Sequence, residues 1–525
     1  MMSKTNAASS VAPAPLWGLF FVSALCGAAS AFAMAPHHYW GLLLLGLGGL
    51  FIIQHALQKN WQAFLSGWLF GFLYFTLGLY WIGNALLVEG NDYAWAWPLA
   101  VSGLPAMLAF FPALACYISK KLFGPKGSLP YFTGFGAVLT LSELLRGYVF
   151  TGFPWNLYGY SWGGNLEMLQ ILHIGNVYWL TALTIFWGAG LGFLWIKRAQ
   201  KIHALTGFML ILGSMVLVYS YGAMRLNSIN PDTQTQQEIS VRLVQPNIDQ
   251  AEKWERGKMS AHYEALLDLS APDTQTEANV PTTLIVWPET ATNYLFLQNE
   301  YTRMQMRDML SLYNQDVYLI TGALMRNEDG APTNSLLVLD KNAEIIHRYD
   351  KSHLVPFGEY IPFQNWIPLD TVSGFSGFKR GQGPDVINLD ENLSFSPLIC
   401  YEILFPSRII PSDEKPGAVI NVTNDAWYGL SAGPYQHYLK ARFRAIEENL
   451  PVIRVANTGF SGIFDGYGQE ISKIDLFETR AVVAHLPLPT TPPNSLQFYI
   501  NHILWITMLL IVLILAAKKY NISKS

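Results

Sequence analysis

The sequence predicts a bundle of eight membrane-spanning helices carrying one large layered α/β domain outside the hydrocarbon layer. Three observations predict it. Of 525 residues 51% are hydrophobic and only 13% charged, against roughly a quarter charged in an ordinary soluble domain. Long apolar stretches crowd the first 225 residues and return near the end. Between them lies an interval of about 270 residues, ample for a full core, in which the apolar runs shorten and become β-branched.

The apolar stretches fall at 16–34, 40–57, 63–88, 95–119, 130–150, 170–196, 204–224 and 500–517. A hydrocarbon layer of about 30 Å needs about 20 helical residues, so each is expected to span. The first reads as an uncleaved anchor rather than a signal peptide, because further spans follow at once. Lys59, Lys120, Lys121, Lys126, Lys197, Arg198, Lys201, Lys518, Lys519 and Lys524 occupy alternate connections. Basic residues collect in cytoplasmic loops, so both termini are expected in the cytoplasm and the large domain on the outer side. Glu143 and Arg146 stand three residues apart in the fifth stretch. On a helix they share a face, either as an ion pair inside the bundle or as a contact for a lipid headgroup.

Residues 226–238 are polar and turn-rich, a linker into the domain. Strands are expected at 241–245, 283–287, 317–321, 335–339, 395–400, 418–422, 452–455, 462–464 and 481–486, with helices at 254–269, 300–313 and 434–449. That alternation predicts a sheet with helices on its faces. The domains are therefore 1–225 (seven spans), 226–497 (the α/β domain) and 498–525 (the eighth span and a tail). The net charge of −4 gives no electrostatic footprint for nucleic acid.

Only Cys400 of three cysteines lies in the α/β domain, so a disulfide framework is excluded. A lone thiol is either a small core hydrophobe or a reactive group. Cys400 closes the apolar run 395–399 and is followed by Tyr401, Glu402 and a helix-like segment. A strand-to-helix turn there exposes a side chain and aims the next N–H groups at a substrate oxygen. Glu289, beside Trp287 and Pro288, is either a helix cap or a desolvated carboxylate suited to proton transfer. Lys351 opens a loop of conformationally restricted residues, Lys351 to Tyr360, and is either a surface lysine or a fixed cation. The chain has no Gly-x-Ser-x-Gly elbow, Walker loop, dinucleotide fingerprint or His-Glu-x-x-His helix, and its histidines are scattered. No metal or cofactor is expected.

Trp287-Pro288-Glu289, then Lys351 with His353-Leu354-Val355-Pro356-Phe357-Gly358-Glu359, then Cys400-Tyr401-Glu402, in that order, resembles the nitrilase superfamily of carbon–nitrogen hydrolases. With the flanking spans the whole chain resembles the bacterial apolipoprotein N-acyltransferase family. The first resemblance implies a nitrilase-like αββα sandwich and a Glu289–Lys351–Cys400 triad. The second implies acyl transfer from a membrane phospholipid, with phosphatidylethanolamine expected, through a Cys400 thioester. The acceptor is the amine of a diacylglyceryl-cysteine apolipoprotein. It also implies a bacterial inner membrane with the domain in the periplasm, and a monomer. Glu359 and Glu402 are expected to orient Lys351 and shape the pocket, with Tyr401 beside the nucleophile. Trp254 and Trp427 correspond to aromatics near the acyl site, and Asn334 to a strand-start Asn near the triad; plain packing is the alternative for all of these. Tyr360 departs from the Phe common at its position. Apolar positions in 375–378 and 404–405 are expected to line a lid or a lipid entrance. The competing readings are a membrane-tethered amidase and a lipoprotein receptor without catalysis.

Overall fold

The computed structural model describes residues 15–89, 93–123, 127–228, 237–255, 257–272, 280–362, 377–411, 414–488 and 497–522. The N-terminal part is helical: α1 (Leu16–Ala31), α2 (Trp40–Ala56), α3 (Asn60–Leu79), α4 (Trp97–Leu108), α5 (Phe110–Leu122), α6 (Leu129–Arg146), the single turn α7 (Leu166–Leu169), α8 (Val177–Ile196) and α9 (Lys201–Asn227). Five described helical stretches are long and apolar enough to cross a membrane: Asn60–Leu87, Ala94–Leu122, Val177–Ile196, Lys201–Asn227 and His502–Lys519. The apolar α1 and α2 are shorter.

Several boundaries differ from expectation for local reasons. The stretch expected at 95–119 breaks at Ala109 into α4 and α5, and Pro112 of α5 cannot donate a backbone N–H across that break. The stretch expected at 170–196 starts its long helix only at Val177, where the Asn176 side chain accepts from Tyr178 N–H and caps it. The stretch expected at 130–150 stops at Arg146, and the Gly147 N–H closes on the carbonyls of 143–145. The helices approach closely where side chains vanish. A Cβ on Gly192 of α8 would lie 2.4 Å from the Gly48 carbonyl of α2. Glu143 and Arg146 form a fully buried ion pair at 2.6 Å, and Arg146 also donates to the carbonyls of Phe153 and Trp155.

The α/β domain contains strands β1 (Gln237–Gln245), β2 (Thr282–Val286), β3 (Thr292–Asn293), β4 (Asp316–Arg326), β5 (Pro332–Leu339), β6 (Ile345–Asp350), β7 (Ile387–Asn388), β8 (Ser394–Ile399), β9 (Ala418–Thr423), β10 (Val452–Ala456), β11 (Ser461–Phe464), β12 (Glu470–Ile474) and β13 (Arg480–Leu488). Its helices are α10 (Met259–Ser270), α11 (Tyr294–Gln298), α12 (Glu300–Ser311) and α13 (Ala432–Glu448), and the chain ends in α14 (Gln497–Ile522). One sheet runs β13-β1-β2-β4-β5-β6, with β3 on β4; the other runs β12-β11-β10-β9-β8-β7. Val241, Leu243, Val286, Ile320 and Leu336 of the first sheet face Phe395, Ile399, Ile420, Ile453 and Ile463 of the second in one core. α10 and α12 cover the outer face of the first sheet, burying Leu266, Met309 and Leu310 on Ile285 and Leu319. α13 covers the second, burying Ala441 and Ala445 on Val419 and Val452. The result is an αββα sandwich.

The helix expected at 254–269 begins only at Met259, leaving Trp254 in a turn. Leu404 and Phe405 do not stand free as an entrance. They are buried in a core shared with bundle residues such as Leu144, Trp155 and Tyr158, as are Tyr401, Leu439 and Phe443. Of positions 375–378, the first two lie outside the described residues, and Phe378 is buried with its N–H on the Glu359 carbonyl.

Candidate active site

Three turns, at the ends of β2 and β6 of one sheet and β8 of the other, converge in the sandwich. After β2 the chain turns through Pro288, Glu289 and Thr290, the last in the left-handed region at φ +51°. Gly322 of β4 passes directly beneath. A Cβ there would lie 2.5 Å from the Glu289 Cα and 2.6 Å from the Pro288 carbonyl, so only glycine admits this turn. Lys351 follows β6 and donates its backbone N–H to the Asn334 carbonyl at 2.8 Å. Cys400 follows β8, also left-handed at φ +51°, and opens a short 3-10 helix over Cys400–Leu404. Non-glycine residues held in that region cost about 1–3 kcal/mol and cluster at functional sites.

Two carboxylates share one buried ammonium, whose charge also acts on the Cys400 sulfur. Lys351 Nζ lies 2.8 Å from Glu359 Oε1 and 3.5 Å from Glu289 Oε1, and Lys351 is 1% exposed. Asn334 Nδ2 donates to both carboxylates, at 2.7 Å to Glu289 and 3.1 Å to Glu359. Glu359 Oε2 accepts from the Val355 N–H at 2.8 Å, which closes the loop back on itself. Burial works to lower the Lys351 pKa, but Glu359, Glu289 and the Cys400 sulfur outweigh it and hold the ammonium above its ordinary range. Burial pushes the Cys400 thiol well up; Glu289 and Asp425 add to this, while Lys351 and a hydrogen bond with the Thr423 side chain oppose it. The resting group is thus a thiol, which attacks only if a base removes its proton. Cys400 is buried, with 8% of its surface exposed.

Glu402 does not touch the Lys351 ammonium. Its Oε1 accepts from the Ser352 N–H (2.8 Å), the Ser352 hydroxyl (2.7 Å), the His353 N–H (3.0 Å) and the Tyr349 hydroxyl (2.8 Å), and its Oε2 from the Ile399 N–H (2.8 Å). It ties the cysteine turn to the lysine turn through backbone. The Tyr401 hydroxyl donates to the Gly152 carbonyl of the bundle at 3.2 Å. Trp254 is half-buried and lines a small cavity with Lys253, His262, Tyr263, Thr290 and Phe296. Trp427, also half-buried, sits in the 3-10 turn Asp425–Tyr428.

Two groups escaped the reading of the sequence. Lys253 is buried and donates to the Glu289 carbonyl at 3.1 Å and the Thr290 hydroxyl at 2.6 Å, propping the Glu289 turn. Burial brings its pKa down to about 8, against the pull of Glu289. Its signal was slight, a lysine beside Trp254 in an otherwise polar stretch. Beneath Cys400, Asn421, Asp425, His437 and Arg454 form a fully enclosed polar cluster drawn from β9, the following turn, α13 and β10. Burial works to raise the Asp425 carboxyl, but Arg454 and His437 outweigh it and bring it down to about 2. Among the described residues no trio of His, Cys, Asp or Glu is placed to hold a metal ion.

Residues 240–492 match the family Carbon-nitrogen hydrolase. Similar solved structures include a CN-hydrolase superfamily protein from Xanthomonas campestris (20% identity, 47% of this chain and 90% of that one, TM-score 0.35) and a carbon–nitrogen hydrolase from Helicobacter pylori (16%, 47% and 89%, TM-score 0.34). The family match over residues 240–492, on an αββα sandwich, makes this a carbon–nitrogen hydrolase-like domain, here carried on apolar helices. Residues 26–190 match the Apolipoprotein N-acyltransferase N-terminal domain. Proteins named apolipoprotein N-acyltransferase from Allorhizobium ampelinum (35% identity, 93% of this chain and 92% of that one), Rhizobium rhizogenes (37%, 88% and 89%) and Rickettsia prowazekii (35%, 93% and 96%) are similar over nearly the whole length. The chain belongs to the apolipoprotein N-acyltransferase family. It is an acyltransferase, and the amidase and receptor readings are not favoured.

Proposed function

We propose that Cys400, Glu289 and Lys351 carry a two-step acyl transfer from a phospholipid to the N-terminal amine of a diacylglyceryl-cysteine apolipoprotein. Glu289 takes the thiol proton and the sulfur attacks an ester carbonyl of the phospholipid. The ester C–O bond breaks, a thioester forms, and Glu289 returns the proton to the departing lysophospholipid oxygen. The apolipoprotein amine then attacks the thioester; Glu289 accepts a proton from nitrogen, the C–S bond breaks and the thiol is regenerated as the amide forms. Lys351 and the N–H of Tyr401 stabilise the oxyanion in both steps, a contribution of about 2.7–4 kcal/mol per donor.

The single observation that carries this reading is the Lys351 ammonium fixed between Glu289 and Glu359 beside a buried thiol. Asn334, Glu359 and Glu402 hold that arrangement, while Trp254, Trp427 and Tyr401 flank it. The finer features rest on this reading: phosphatidylethanolamine as donor, a monomer, and the division into seven spans (1–225), catalytic domain (226–497) and eighth span (498–525). The proposed setting is the bacterial inner membrane with the domain periplasmic and both termini cytoplasmic. The contacts of Lys120 with the Leu57 carbonyl and Lys519 with the Lys121 carbonyl, which gather basic chain ends at one end of the bundle, support that orientation.

Mass spectrometry of the Cys400 peptide after incubation with phospholipid alone is expected to show an acyl thioester in the wild type. It is expected to be absent in Cys400→Ala and Glu289→Gln. A wild-type peptide that stays unmodified would overturn the assignment.

A further inference from the structure

The cluster beneath the cysteine turn has no place in the chemistry above, yet it is built with care. Asn421, Thr423, His437 and Arg454 are 0% exposed and Asp425 is 2% exposed. Burying a guanidinium, a carboxylate and an imidazole together is expensive and is as a rule worth less to stability than an apolar core of equal volume. What the cluster touches is the cysteine backbone. His437 Nε2 lies 3.3 Å from the Cys400 carbonyl oxygen, and Asn421 Nδ2 lies 3.5 Å from the same oxygen and 3.4 Å from the Leu398 carbonyl.

A carbonyl only accepts, so the bond from His437 requires the proton on Nε2. The surroundings of Nδ1 permit this in either charge state. A protonated Nδ1 has Asp425 Oδ1 at 2.8 Å, and an unprotonated one has the Arg454 Nη2 donor at 3.1 Å. Arg454 in turn donates to Asp425 Oδ2 and Asn421 Oδ1, both at 2.7 Å, so the imidazole and the carboxamide are both held from behind. Asp425 is fixed by packing as well, since a Cβ on Gly459 would meet its Oδ2 at 2.4 Å.

The consequence follows from the planar trans peptide, in which C=O and the next N–H point in opposite directions. A carbonyl pinned on one side fixes the N–H on the other. Cys400 at φ +51° sits in a narrow, strained region in which a small rotation would swing that N–H away. We propose that His437 and Asn421, braced by Arg454 and Asp425, are positioning residues. They clamp the Cys400 carbonyl so that the Tyr401 N–H stays aimed at the oxyanion of the acyl group on sulfur. The inference rests on Cys400 being the acylated nucleophile.

The test uses the full-length enzyme in detergent, acylated on Cys400 by a phospholipid carrying a ¹³C-labelled ester carbonyl. Difference infrared spectroscopy then reads the thioester carbonyl stretch. A polarising oxyanion site lowers that frequency relative to the same thioester in the unfolded protein. In His437→Leu the stretch is expected to move back toward the unfolded value, with kcat down about 10²-fold and KM little changed. His437→Gln, which can still reach the carbonyl with a donor, should recover much of both. If His437→Leu does not fold, Asp425→Asn, which removes the charge orienting the imidazole, carries the same readout. An acyl-enzyme whose stretch and kcat match the wild type in the variant read would overturn the clamp, as would a loss confined to KM. Absence of any thioester in the wild type would instead overturn the nucleophile assignment.

Discussion

At the scale of single residues, one amide sets the charge arrangement of the site. Asn334 donates from the same nitrogen to Glu289 and Glu359, so two carboxylates are kept on one ammonium without facing each other unscreened. Asn334→Asp would put a third carboxyl there, and like charges at a shared site drive protons onto the group that must accept them. Thioester formation is expected to fall about 10²-fold in Asn334→Asp and about 10-fold in Asn334→Ala, measured by quenched-flow mass spectrometry. Equal rates in the two variants would contradict this. Glu289 and Cys400, the proposed base and nucleophile, drew notice because each closes an apolar run with a polar group, whereas Lys351 follows the charged IIHRYD strand and drew notice only through its loop of conformationally restricted residues. Lys253 drew none, because a lysine in a polar stretch looks like any solvated lysine until the fold buries it against the Glu289 carbonyl. The Asp425–His437–Arg454 cluster draws on three separate elements and leaves no local pattern.

At the scale of elements, the central strands could be read, but of the edge strands only β13 could. β2, β8, β9 and β10 are buried along their length, so they stand out as apolar runs. β6 (IIHRYD) and β12 (EISKI) lie at sheet edges with mostly exposed or partly exposed positions, and their charges hide the strand signal. That omission matters for the site, because β6 is the strand that delivers Lys351. Register between elements is enforced most sharply at Gly322, whose absent side chain lets β4 run beneath the Glu289 turn. Gly322→Ala must push that turn outward by several tenths of an ångström. Overpacking of this kind costs about 1–3 kcal/mol, and a misplacement of about 1 Å at the reacting atoms costs about 10²-fold in rate. The expected outcome is a modest fall in melting temperature with a disproportionate loss of both thioester formation and Cys400 alkylation by iodoacetamide, because both reactions need Glu289 to take the thiol proton. Alkylation that stayed at the wild-type rate would mean that the glutamate turn had not been displaced from the sulfur.

At the scale of the whole molecule, bundle and sandwich share one core, and the turn after Cys400 is part of it. Tyr401, Leu404 and Phe405 pack among bundle side chains, so the cysteine turn is a docking surface as well as a chemical one. The polar centre of that contact is Gln436 of α13. Its Oε1 accepts from the indoles of Trp155 (2.8 Å) and Trp81 (3.2 Å), and its Nε2 donates to the carbonyls of Ala35 and Gly78, both at 3.2 Å. Glu447 on the same helix accepts from the Val177 N–H at the start of α8. No periodicity in the sequence announces Gln436, since its four partners come from bundle segments several hundred residues earlier. Gln436→Leu keeps the volume but strands buried donors and acceptors, each of which costs about 1–3 kcal/mol. The domain is then expected to rock on its membrane support while its own αββα core stays intact. Thioester formation from phospholipid in proteoliposomes should drop about 10-fold or more, because donor and sulfur are no longer aligned across the bilayer surface. Alkylation of Cys400 by a small water-soluble reagent should stay within about 2-fold, because the sandwich itself is unchanged. If both rates fell together the cysteine turn would depend on the bundle for its internal shape. If neither fell, the docking contact would have no part in presenting the sulfur to lipid.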